Sequence, residues 1–252
     1  MRFHEFGTDR PDLLLIVQPR LVTWDLLLPD IQLLAERYHV LVPVMPGHDF
    51  QDGGEFTSVE HVADEIESWL AERGELTLCG ALGIDVGGSV ILRLLANGKV
   101  RIGHAIIDGG VLPHQGSTFV SKLEATRDYL RFETVKHSQA MRAKLLRRHI
   151  HTREEAGIIS GTLQRVTDRT VWNIASSCHS YELPAGAFDK KSAVEYWCGS
   201  DELRHHREDI RTLKELIPSA KIVELPQKRS LEFAVHHAPE YSSRIHLALQ
   251  GA

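Results

Sequence analysis

Residues 76–96 constrain the fold of this chain more than any other stretch. Leu76-Thr77-Leu78-Cys79-Gly80-Ala81-Leu82 is an apolar run of strand length, and Ser89-Val90-Ile91-Leu92-Arg93-Leu94-Leu95-Ala96 reads as a helix. Gly83-Ile84-Asp85-Val86-Gly87-Gly88 joins them. Small residues two positions either side of the centre let a strand turn sharply into a helix, which leaves the central side chain exposed at the top of the sheet. Here that side chain is the Asp85 carboxylate, and it limits the reactions open to the chain.

Strand-length apolar runs recur at Leu13-Leu14-Leu15-Ile16-Val17, Val40-Leu41-Val42-Pro43-Val44, His104-Ala105-Ile106-Ile107, Ala193-Val194-Glu195-Tyr196-Trp197-Cys198 and Ile222-Val223-Glu224-Leu225. Runs without polar alternation predict strands covered on both faces, as in a parallel sheet. Helical segments alternate with them. Val59, Val62, Ala63, Ile66, Trp69 and Leu70 share one helical face, with Thr57 and Glu60 reading as a capping box and Gly74 as the stop. Helices are also expected over 26–37, 203–216 and 239–249. The rhythm predicts a doubly wound, mostly parallel α/β domain. It breaks over 114–190, a charged stretch of helical composition read as an inserted cap. The expected organisation is therefore a core of 1–113 and 191–252 with a helical cap at 114–190. Little precedes the first apolar run, so the strands usual at the start of a large α/β sheet are expected to be mostly missing.

The 252 residues carry a formal net charge of -5, which offers no electrostatic reason to expect nucleic acid or an acidic membrane as partner. No apolar run approaches the roughly 18 residues that span a bilayer, and the N-terminus does not read as a signal peptide. Cys79, Cys178 and Cys198 show no CxxC spacing, which fits reduced thiols and a cytoplasmic setting. Oligomeric state is open.

The chain resembles α/β-hydrolase-fold proteins, specifically a small cap-bearing bacterial type. The likeness rests on Trp24 after the first run, on Val42-Pro43-Val44-Met45-Pro46-Gly47-His48-Asp49, on the elbow, and on Ile106-Ile107-Asp108-Gly109-Gly110. It continues through Trp172, Tyr181-Glu182-Leu183-Pro184 and Tyr196-Trp197-Cys198-Gly199-Ser200-Asp201. The resemblance implies a hydrolase, and three departures qualify it. Asp85 replaces the usual elbow serine, Gln18-Pro19-Arg20 replaces the usual His-Gly loop, and Ser230 stands where the catalytic histidine is expected.

An elbow aspartate is similar to those of haloalkane dehalogenases and epoxide hydrolases, where the carboxylate attacks carbon and forms an ester. The Val86 amide and one from the Gln18–Pro19–Arg20 loop are then the expected oxyanion donors. Asp201 matches the triad-acid position, with a helix N-cap as its other reading, and Asp108 is the alternative acid. Ser230 is placed across the cleft from Asp85. His48, His114, His179, His236 and His237 are the histidines considered as replacement bases. Trp24, His48, Trp172 and Tyr181 are expected to line an apolar pocket. No metal site or cofactor is expected, because the paired histidines lack a spaced carboxylate or cysteine and no phosphate loop or dinucleotide fingerprint occurs. The expectation is an enzyme acting on a small apolar molecule, with Asp85 as nucleophile or general base. Hydrolysis is the default, and a lyase or cyclase step suits the missing histidine. The competing expectation is an inactive relative that binds a ligand or a protein.

Overall fold

The computed structural model describes the chain apart from residues 49, 52–53, 114–117, 150–151, 185–187, 189–190, 226–228 and 252, and only the backbone of 145–149 and 230. Seven strands form one sheet: β1 (Phe3–Phe6), β2 (Leu13–Val17), β3 (His39–Pro43), β4 (Thr77–Ile84), β5 (Arg101–Asp108), β6 (Ala193–Gly199) and β7 (Lys221–Leu225). Their order is β1-β3-β2-β4-β5-β6-β7. All neighbours are parallel except β1, which pairs antiparallel with β3.

Helices α1 (Leu28–Ala35), α2 (Val59–Glu72) and α3 (Val86–Asn97) cross between successive strands, and α8 (Arg207–Leu216) links β6 to β7. Among the described residues four helices stand between β5 and β6: α4 (Thr118–His137), α5 (Gln139–His149), α6 (Arg153–Arg165) and α7 (Asp168–Cys178). The chain ends with α9 (Ser230–His236) and α10 (Ala238–Gln250). Among the described residues no helix is long and apolar enough to cross a membrane.

Strand periodicity of two explains why helices cover both faces. In β2, Leu15 and Val17 pack into a core with Val62, Ile66 and Leu70 of α2 and Val90 of α3. Leu14 and Ile16 pack the other way, against Ile31 and Leu34 of α1 and Tyr241 and Ile245 of α10. A third cluster joins Leu21, Val22 and Leu26, just past β2, to Ile159 and Leu163 of α6, Val166 at its end and Val171 of α7.

The structure revises four expectations. A short edge strand, β1, precedes the first predicted one; its Phe3 ring stacks on Trp69 with centroids 3.9 Å apart. The cap of α2 is Ser58, whose side chain accepts from the His61 amide, and not Thr57. The helix expected over 203–216 begins only at Arg207, because residues 201–206 form turns. Asp201 therefore caps no helix.

After β2 the chain moves outward to β3 and then returns across the sheet to β4. Strand order reverses between β2 and β4, and their carboxyl ends bound the crevice where open α/β sheets bind ligands. The loop carrying Arg20 and the elbow carrying Asp85 face each other there.

Candidate functional site

Asp85 has φ 54 and ψ -117, a conformation that costs a side-chain-bearing residue on the order of 1–3 kcal/mol. Its neighbours make the turn possible. A Cβ on Gly83 would collide with the Gly87 carbonyl, and one on Gly87 with the Val17 carbonyl of β2. The elbow is fastened by the Asp85 amide, which donates to the Asp108 carbonyl at 2.8 Å, and by the Gly88 amide, which donates to the Asp85 carbonyl at 2.9 Å.

The carboxylate thus presented is not free. Arg20 Nε donates to Asp85 Oδ2 and Arg20 Nη2 to Asp85 Oδ1, each at 2.6 Å, and the Arg20 amide donates to Oδ2 at 3.1 Å. This is a charge-assisted two-pronged pairing, the strong class of side-chain hydrogen bond. The guanidinium also lies 3.8 Å from Asp128 and 5.2 Å from the Phe132 ring centre, both on α4. Burial works against the charge on Arg20, but the carboxylates of Asp85 and Asp128 hold it firmly protonated. Burial likewise pushes Asp128 up, yet its contact with His179 Nε2 at 3.1 Å and the Arg20 charge hold it below the ordinary carboxylate range. Cys178 Sγ is 4.0 Å from Arg20, but burial pushes its thiol up to about 12, which leaves no thiolate nucleophile at neutral pH.

The loop that delivers Arg20 is held under strain. Leu21 has φ 59, unusual for a bulky side chain. Its amide donates to His48 Nε2 at 2.9 Å, so His48 carries its proton on Nδ1, which donates to the Pro46 carbonyl at 3.2 Å. Gln18 Nε2 donates to the Val22 carbonyl at 2.6 Å and closes the loop from beneath. Burial pulls His48 down to about 4. Between that value and about 6.5 the unfolded chain binds a proton that the folded chain does not, so this residue should erode stability by up to about 1.4 kcal/mol per pH unit as pH falls through the window. In urea melts His48→Leu is expected to lose about 1–3 kcal/mol at pH 7, because the Leu21 amide loses its acceptor, and to show a flatter pH dependence between 6.5 and 4. An unchanged pH slope in the variant would refute this role.

Above the elbow lies a cavity of about 410 Å³. Pro19, Arg20, Asp85, Asp128, Glu202 and His206 contribute polar and loop surface to its wall, and Leu21, Phe132, Ile159, Leu163 and Leu231 contribute apolar surface. His206 follows β6. Its Nδ1 lies 3.1 Å from Asp209 Oδ2 and 3.0 Å from the Tyr196 hydroxyl. A carboxylate only accepts, so Nδ1 carries the proton facing Asp209. Asp209 Oδ1 in turn accepts from the Leu112 amide at 2.8 Å. Burial lowers the affinity of His206 for a second proton, but the Asp209 hydrogen bond and the charges of Asp209, Glu202 and Asp85 outweigh it and raise the imidazole above its ordinary value.

Among the described residues, the predicted site residues that line this cavity are Asp85 and Pro19, together with Arg20 of the loop expected to supply an oxyanion amide. Gln18 turns inward to Val22, so it offers the cavity no side-chain donor. The Val86 side chain is buried in the core. His48 lies behind the loop. Trp24 packs on His4 with ring centres 4.2 Å apart, and Trp172 stands edge-on to Tyr129 and two-fifths exposed. The Tyr181 hydroxyl donates to the Val111 carbonyl at 3.0 Å. Asp201 is exposed, 4.0 Å from Arg229, and Asp108 accepts from the Tyr241 hydroxyl at 2.6 Å, so neither faces the cavity as a triad acid. His179 serves Asp128. His236 and His237 sit where α9 passes into α10. The Ser230 side chain and His114 lie outside the described residues. Sequence reasoning missed Arg20 as the partner of Asp85, and it missed the His206–Asp209 pair, whose three-residue spacing was the available signal. Among the described residues one group has metal-like spacing, Glu133, His137 and Asp168, but the Lys136 ammonium already pairs with Asp168.

The fold is that of the α/β-hydrolases. An α/β hydrolase family protein from Desulfitobacterium hafniense superposes with a TM-score of 0.75 at 18% identity, covering 98% of this chain and 100% of that one. A thermophilic esterase from Thermogutta terrifontis gives 0.74 at 16% identity, over 99% and 93%. The epoxide hydrolase CorEH gives 0.74 at 15% identity, over 98% and 93%. Comparison with protein-family models finds no match, and comparison with curated proteins finds none either.

Proposed function

We propose that this chain is an α/β-hydrolase-fold enzyme that acts on a small, largely apolar molecule without forming a covalent intermediate, with residues 114–190 serving as its cap. The observation that carries this reading is the pairing of both Asp85 oxygens with Arg20 at the floor of a cavity of about 410 Å³. A nucleophilic carboxylate needs an oxygen whose electron pair faces the reacting carbon. Here the guanidinium draws on both oxygens, and attack would first require this ion pair to break. The pair instead makes a fixed dipole that orients a polar group of the substrate and receives charge as it develops. Strain retained at Asp85, where glycine would relieve it, supports a use for its side chain. Hydrolysis by activated water and a lyase or cyclase step both fit a non-covalent site. The three free cysteines favour a reducing, cytoplasmic setting. The second reading, a ligand-binding relative without catalysis, draws on the same ion pair, since a neutralised carboxylate also suits a purely structural elbow.

The deciding experiment incubates the wild type and Asp85→Asn, both shown folded by circular dichroism, with 4-nitrophenyl acetate, styrene oxide, 1-chlorobutane and dihydrocoumarin. Turnover and intact mass are followed together. Turnover without an adduct, lost in Asp85→Asn, is the expected result. A wild-type adduct absent from Asp85→Asn would instead make Asp85 a nucleophile.

A further inference from the structure

We infer that His206, oriented by Asp209, is the proton-transfer residue of this pocket, supplied by the loop after β6 and not by the loop after the last strand. The inference rests on the enzymatic reading above and names the group that reading lacks. A non-covalent mechanism needs a group that takes a proton and returns it near neutral pH. Asp85 is ill placed for that work, because both its oxygens already accept from Arg20.

His206 meets each geometric requirement. It lines the same cavity as Asp85. Its Nδ1 is engaged by Asp209 and the Tyr196 hydroxyl, and among the described residues its Nε2 has no protein partner, so Nε2 is the nitrogen left for a ligand. Asp209 is itself anchored by the Leu112 amide at 2.8 Å, and the Tyr196 hydroxyl by the Gly110 carbonyl at 2.7 Å. The ring is therefore fixed in one orientation and one tautomer by groups that are fixed in turn. The charged and titratable groups facing it are Asp209 from α8, Tyr196 from β6, Glu202 from its own turn and Asp85 from the elbow, with Arg229 and Glu232 on the same cavity wall. Asp209, Glu202 and Asp85 are carboxylates whose charges favour the imidazolium formed midway through a reaction.

For hydrolysis the step balances as follows. Neutral His206 Nε2 removes a proton from a water molecule, whose oxygen bonds to the electrophilic carbon of the substrate. The bond from that carbon to the leaving group breaks, and the imidazolium returns the proton to the departing oxygen. Asp209 keeps accepting from Nδ1 and holds that proton in place.

The test assays wild type, His206→Ala, His206→Gln, Asp209→Asn and Asp85→Asn on the same four compounds, with kcat and KM resolved over pH 4–9. The expected result is a loss of roughly 10²–10⁴-fold in kcat for both His206 variants with KM little changed, and partial recovery of His206→Ala by added imidazole. Asp209→Asn should move the acidic limb of kcat to lower pH, because it removes the main influence that raises His206. Activity that survives His206→Ala but not Asp85→Asn overturns this role and leaves the enzymatic reading standing. Activity indifferent to both residues, or absent from the wild type, overturns both. Loss in His206→Ala without imidazole rescue and without a pH shift in Asp209→Asn would mark His206 as structural only and overturn the role.

Discussion

Arg20→Met is expected to destabilise the protein by about 3 kcal/mol, the low end of the range for breaking a buried ion pair, since the Asp85 side chain is about a quarter exposed. The loss comes chiefly from what remains. Asp85 and Asp128, both partners of the same guanidinium, would face each other without it, and the strained elbow would lose two of its hydrogen bonds, keeping only that from the backbone amide of residue 20. Asp85→Asn alone should cost less, because the neutral amide still accepts from Arg20 through one oxygen. The double variant should recover part of the loss, since no bare carboxylate remains at the elbow. Urea unfolding of the four proteins forms a cycle whose coupling energy is expected to exceed 1 kcal/mol. Strictly additive losses would show that the two side chains contribute independently and would defeat the account given for the elbow.

Asp30→Asn should have the opposite sign. Asp30 is buried in α1, where Oδ1 accepts from the Ser242 hydroxyl at 3.1 Å and Oδ2 is buried without a hydrogen-bond partner. Burial raises it to about 8, against the hydrogen bond from Ser242, which lowers it. From about 3.8 up to 8 the unfolded chain releases a proton that the folded chain keeps, so stability contributed by the protonated acid is present below 3.8 and is lost as pH rises through that window. An asparagine has no such proton to lose. The variant is therefore expected to be more stable than wild type by a few kcal/mol at pH 8, with the advantage shrinking toward zero near pH 4. Thermal melts across that range are the check. A variant equally stable at pH 8, or one whose advantage grows in acid, would contradict the protonated burial of Asp30.

The fold was legible because its signals are local. The unbroken apolar runs of β2 to β7 and the glycines flanking Asp85 follow from strand burial and from the close approach of Gly87 to Val17, and both leave their mark within a few residues. The site was less legible because its partners meet only across the sheet. Arg20 and Asp85 are 65 residues apart, and charge alone does not say which of many acids an arginine reaches. His48 was expected in the pocket, but its ring was needed to hold the Leu21 amide, a demand that arises only from a strained φ that no composition reveals. His206 was read only as half of a histidine pair. Asp209 lies in the first turn of α8, and its reach back to His206 follows from a helix that starts four residues later than the sequence suggested.

Arg20 touches two separate parts of the polypeptide at once, Asp85 on the sheet and Asp128 on α4. Around it, Leu21 and Val22 pack with Ile159, Leu163 and Val171. Swinging the four inserted helices away would pull a carboxylate off the guanidinium and wet this apolar cluster in the same motion. The helices and the sheet are thereby bound into one cooperative unit, and melting should proceed in a single step reported alike by probes on either part.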